Sequence, residues 1–179
     1  MSFPPLVANM PNSSSHRQDQ LAAEIRTLLG SGLPGDARSL AALARSSLLG
    51  CVAADVLAGV AGRSRIAFFP DGATIVTERE VDDLGVFVLA RGTAAVSIDD
   101  RPLGMLRRGD AFGVVATLDG GTRTATVRAA GAVRCVVLST ACFHELLHDA
   151  PSLARRLLVE LAGLLRPAAA RPASSSSSA

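Results

Sequence analysis

Arg123 stands alone beyond a glycine pair, and the residues before it are of kinds that gather an anion. The stretch Phe112–Val127 reads FGVVATLDGGTRTATV. It follows a Gly109-Asp110 turn, opens with an aromatic-glycine pair, and passes through small apolar residues to Gly120-Gly121. Arg123 then leads into Thr-Ala-Thr-Val, an alternating β-prone run, so it is expected where a loop becomes a strand. Short-helix N–H groups, glycine backbone and one guanidinium converging on a small volume suit a phosphate.

Other residues carry weaker chemistry. His144-Glu145-Leu146-Leu147-His148 spells the H-E-x-x-H of zinc peptidases, in which two histidines on one helical face hold the metal and the glutamate is the base. That helix would be only about two turns long, pinned between Thr140 and Pro151. The other histidine, His16, lies in the N-terminal segment, so an exposed amphipathic turn without metal is expected. Glu78/Glu80 and Asp82/Asp83 could pair as acid and base but read as solvated turn carboxylates. The strands contain no histidine, which opposes a cupin-like metal site. No catalytic constellation emerges, and the chain is not expected to be an enzyme.

The elements that must position Arg123 are mostly short strands. Ile66–Phe69, Thr74–Thr77, Val86–Ala90, Thr93–Ile98, Leu103–Leu106, Thr124–Ala129 and Val133–Leu138 are β-prone. Turn signals separate them, among them Pro70-Asp71-Gly72, Asp82-Asp83, Arg91-Gly92, Asp99-Asp100 and Gly131. Many short strands with regular turns predict an antiparallel sandwich or roll. Helical spacing flanks them. Leu21–Leu29 forms one helix, Asp36 or Ser39 caps a second through Leu40, Leu43 and Ala44, and Asp55–Ala61 makes a third closed by Gly62. After the strands, Thr140 caps a short helix through Leu147. Pro151 starts another, with Leu153, Leu157, Leu158, Leu161, Leu164 and Leu165 as an apolar stripe, stopped by Pro167. Residues 1–20 are expected to be disordered, 21–46 a helical lead-in, 47–166 the domain, and 167–179 a flexible Ala/Pro/Ser-rich tail.

Composition narrows the partners. The 179 residues support one domain, and a net charge of +2 implies no acidic partner. All basic residues are arginine, which with abundant alanine reads as a compositional habit rather than a nucleic-acid surface. Six Phe without Trp or Tyr leave no stacking platform for single strands. Cys51, Cys135 and Cys142 lack metal spacing and read as core thiols of a reducing compartment. Met1–Met10 lacks a basic start, and no apolar run is long enough to span a membrane, so a cytoplasmic location is expected.

The cassette resembles the phosphate-binding cassette of cyclic-nucleotide-binding domains. That family writes F-G-E, a hydrophobe, A-L, about five residues, R, then S/T/A-A-T-V. Phe112 to Arg123 has the same spacing, but the family's glutamate is Val114. The resemblance extends from about Ser47 to Arg166. It includes the lead-in helix after Ser47-Leu48-Leu49-Gly50, the Pro70-Asp71-Gly72 turn, the Val86–Val96 strand–Gly–strand signature and the Leu103–Asp110 run-in. Arg79 stands at a usual turn glycine. The resemblance implies a mainly β antiparallel roll (a jelly-roll-like double-stranded β-helix) with N-terminal helices and a C-terminal lid helix.

It also implies a regulatory site for cAMP or cGMP, with no other cofactor. Arg123 would pair with the exocyclic phosphate oxygens, and Thr124 and Ala125 would add backbone N–H donors. Phe112, Gly113, Val114, Val115 and Ala116 would line the site, and Leu161, Leu164 and Leu165 would serve as the lid. Valine cannot accept from a ribose hydroxyl, so binding should be about 10- to 150-fold weakened. Restoring a glutamate at position 114 is expected to recover it. The partner would be the nucleotide, with an effector protein or a second copy of the chain, and neither nucleic acid nor membrane. A degenerate, ligand-independent interaction module is the alternative.

Overall fold

Two 13-residue strands, Val86–Ile98 and Thr126–Leu138, form the spine to which every other strand attaches. The structure, a computed structural model, describes residues 37–165. In chain order these are α1 (Ala37–Ala44), a 3-10 turn (Leu49–Cys51), α2 (Ala54–Arg63), β1 (Arg65–Phe69), β2 (Thr74–Val76), β3 (Val86–Ile98), β4 (Arg101–Leu106), β5 (Ala111–Phe112), α3 (Val114–Asp119), β6 (Thr126–Leu138), α4 (Thr140–Asp149) and α5 (Pro151–Leu165). The sheet path is β1-β6-β3-β4, with β2 on β6 and β5 on β3, and every pairing is antiparallel. This is the expected roll with flanking helices. The helix expected over 21–29 and the segments 1–20 and 167–179 lie outside the described residues.

The sequence reads β3 and β6 as two strands each, broken at Gly92 and Gly131. Both run through. Gly92 and Gly131 take φ of 90° and 89° inside the strands, so the chain bends without ending. A Cβ on Gly92 would sit 2.5 Å from the Ala132 carbonyl oxygen, so a side chain is excluded there. The β3 register slips around Arg91, and the slip changes which face each residue takes. Phe87 and Leu89 share the roll interior with Ala94 and Val96, an odd-to-even switch that needs one extra residue between them.

The two faces of the spine serve two cores. Inside the roll, Phe87, Leu89, Phe112, Val127 and Cys135 pack together. The opposite face of β3 and β6 presents Val86, Val88, Val136 and Leu138 to the helices, joining Leu43, Leu48, Leu57, Phe143 and Leu153. Helix boundaries shift for local reasons. α2 continues through Gly62 to Arg63, because Ser64 ends it by donating its N–H and Oγ to the Ala61 carbonyl, at 3.3 and 2.8 Å. Ser139, not Thr140, caps α4, its Oγ accepting from the Cys142 N–H at 3.3 Å.

Candidate functional site: an arginine held behind a glycine

The loop before β6 is laced to the loop before β3. The Arg123 N–H donates to the Glu80 carbonyl at 2.9 Å, and the Arg79 N–H to the Arg123 carbonyl at 2.8 Å. Arg79 adopts φ 65°, the left-handed conformation that suits glycine, and its side chain is anchored by Glu78 and Asp99.

Across the same gap, Gly113 has φ 83° and starts α3. A Cβ there would come within 2.4 Å of Arg123 Nη1 and 2.9 Å of the Gly85 carbonyl oxygen. Glycine is what lets the guanidinium lie against the backbone.

Arg123 is 3% exposed, yet it is well supplied with acceptors. Nε donates to Asp82 Oδ2 at 2.9 Å and Nη2 to Asp82 Oδ1. Nη1 donates to the carbonyl oxygens of Gly85 and Gly113, each at 3.1 Å. The guanidinium carbon lies 5.8 Å from the centre of the Phe87 ring, which stacks on Phe112 at 5.0 Å. A guanidinium has five N–H groups, so one on Nη2 is left for another acceptor.

Burial pushes the Asp82 carboxyl up. Hydrogen bonds from Arg123 and the Leu84 N–H, with the Arg123 charge, more than offset this and hold it below the ordinary range.

The remaining sequence-predicted residues take distinct places. Phe112 packs inside the roll, and Val114 joins the helix-side core at 2% exposure. Ala116 is buried, Val115 half-buried, Thr124 exposed, and Ala125 half-buried against the roll core. Leu161 is half-buried, while the side chains of Leu164 and Leu165 lie outside the described residues. The α5 stripe is seated on the helix-side core through Leu153 and Leu157, leaving Leu158 67% exposed. Ser152 Oγ donates to the Cys51 carbonyl at 3.1 Å and ties the start of α5 to the 3-10 turn.

Sequence reasoning missed Asp82, read as solvated, and Thr117, whose Oγ1 donates to the Gly113 carbonyl at 2.8 Å. Asp82 lies 41 residues from Arg123, and no local spacing signals a pair at that separation. In the H-E-x-x-H turn, Glu145 pairs with Arg63 and His144 contacts Thr117. Among the described residues no group of three His, Cys, Asp or Glu is placed to hold a metal.

Known proteins share this fold. Residues 66–150 match the family model described as "Cyclic nucleotide-binding domain". The second such domain of a protein kinase A regulatory subunit, solved with Sp-2Cl-cAMPS, superposes with a TM-score of 0.61 at 24% identity, covering 80% of this chain and 90% of that one. The regulatory domain of Toxoplasma gondii PKA, crystallised with cAMP, gives 0.61 at 22%, covering 79% of this chain and 52% of that one. The Thermus thermophilus catabolite activator protein gives 0.61 at 23%, covering 68% and 59%. The chain thus spans little more than half of the last two. No curated protein matches the sequence.

Proposed function

Residues 66–150 belong to the cyclic nucleotide-binding domain family, and from that premise we propose that this chain binds cAMP or cGMP in the Phe112–Ala125 cassette as a regulatory, non-catalytic module. The observation that carries the reading is Arg123, buried and fixed against Gly113 at the start of α3. Asp82 sets the plane of the guanidinium, and the fifth N–H is the donor with which a phosphate oxygen makes first contact. Displacing one Asp82 oxygen would free a second. Thr124, exposed beside Arg123, offers a hydroxyl to a guanine edge, which favours a modest preference for cGMP. Val114 supplies no acceptor to the sugar, so binding is weak.

The lid role of Leu161, Leu164 and Leu165 belongs to this same reading: α5 would change its seat when the cassette is filled. An effector protein or a second copy of the chain would sense that change. Three free cysteines fit a reducing, cytoplasmic setting.

Calorimetric titration with cAMP, cGMP and non-cyclic 5′-AMP tests the proposal. Saturable heat with either cyclic nucleotide, and weaker heat with 5′-AMP, is expected. Absence of heat with both cyclic nucleotides favours a second reading, a ligand-independent interaction module. Two observations point that way: Val114 is packed into the core, and four of the five Arg123 donors are already taken.

A further inference from the structure

The H-E-x-x-H turn contains a contact that phosphate recognition leaves unused. His144 extends from α4 toward the cassette, and its Nε2 lies 2.9 Å from the Thr117 carbonyl oxygen. A carbonyl only accepts, so Nε2 carries the proton in this contact. Thr117 lies in the last turn of α3, where carbonyls have no partner within the helix.

The same residue is bound back to the start of the cassette. The Thr117 N–H and Oγ1 donate to the Gly113 carbonyl at 3.2 and 2.8 Å, and that oxygen also accepts from Arg123 Nη1 at 3.1 Å. A run of hydrogen bonds through Gly113 and Thr117 therefore joins Arg123 to α4, beside the apolar contact of Val114 with the core that holds Phe143 and Leu146. On the neighbouring position of α4, Glu145 pairs with Arg63 at the end of α2. Leu146 of α4 and Leu153 of α5 lie in one core, so the two helices share a packing surface.

We propose that His144 is a positioning residue that fixes the cassette helix α3 to α4, so that a shift of α3 at the anion site is passed to the C-terminal helices. The tie stands independently of the ligand; that a nucleotide drives it rests on the proposed function.

Glutamine and asparagine separate the tie from mere polarity. The amide nitrogen of glutamine reaches about as far as Nε2, whereas that of asparagine reaches only as far as Nδ1. Hydrogen exchange is followed on the full chain as wild type, His144→Gln and His144→Asn. Without nucleotide, the amides of 114–119 should exchange about 2- to 10-fold faster in His144→Asn and near the wild-type rate in His144→Gln. Equal exchange in all three proteins overturns the proposal.

With cAMP or cGMP added, a change in exchange over 151–165 should appear in wild type and His144→Gln. It should be reduced in His144→Asn, although calorimetry shows the nucleotide bound. Full transmission in His144→Asn also overturns the proposal. A wild type that binds neither nucleotide defeats the proposed function, and the nucleotide-free comparison then decides the tie by itself.

Discussion

Arg123 and Asp82 set the character of the cassette, since a buried cation needs a fixed partner whether or not a ligand is present. Arg123→Ala would take the guanidinium from the Asp82 carboxylate and the donor from the Gly85 carbonyl, while the Gly113 carbonyl keeps Thr117. It should remove nucleotide binding and cost roughly 1–3 kcal/mol of stability, read by denaturant unfolding. The pair also fixes a pH dependence. Asp82 is held below its ordinary range, so the folded protein takes up that proton later than the unfolded chain does. The stabilisation is complete above the unfolded value of about 3.9 and is lost as pH falls through the lower folded value. Asp82→Ala should therefore lower Tm near neutral pH and converge on wild type in acid, once pH has fallen through the lowered folded value. The burial of Val114 argues against a simple gain of binding from a glutamate there. At 2% exposure among the helix-side residues, Val114→Glu would carry a charge into an apolar core. Destabilisation on the order of 3 kcal/mol or more, with no gain in affinity, is the expected result by unfolding and calorimetry.

At the scale of the elements, α5 provides the sharpest contrast. Leu157 is 3% exposed in the helix-side core, and its neighbour Leu158 is 67% exposed. Leu157→Ala should cost about 2–5 kcal/mol, whereas Leu158→Ser should stay within about 0.5 kcal/mol, both measured by chemical unfolding. Similar costs for the two would mean that α5 is not seated on this face. α3 is the other decisive element. Gly113 starts it in the left-handed region with Arg123 against its Cα. Gly113→Ala should disturb the arginine first and the roll second. Loss of nucleotide binding should then exceed the loss of stability.

Across the whole molecule, the legible parts were those written in local pattern. Alternating runs marked the strands, the stripe of Leu153 and Leu157 marked α5, and the spacing from Phe112 to Arg123 placed the cassette. The helix-side core was not legible, because only a one-residue slip at Arg91 decides that Val88 faces the helices and Ala94 the roll. Nor was the Asp82–Arg123 pair, which forms between loops far apart in sequence. Gly92 and Gly131 looked like strand breaks because a glycine signals freedom without saying whether the ladder continues across it. The thiols report on these two cores together. Burial pushes Cys135 up to about 12 and also raises Cys142, whereas Cys51 is half-buried. Alkylation near pH 8 should reach Cys51 first, and Cys135 and Cys142 should react only at the rate of opening of their cores.

The Arg123 guanidinium is the most direct witness to the proposed function. In isotope-labelled protein, its Nε–H resonance reports the partner now supplied by Asp82. Titration with cAMP or cGMP should move that resonance along a saturable curve whose midpoint matches the calorimetric affinity, as a phosphate takes a share of the guanidinium. A resonance that stays fixed while heat is released would place the ligand elsewhere. One that stays fixed with no heat would show that this cassette keeps its arginine for Asp82 alone. Either result contradicts a nucleotide site at Arg123.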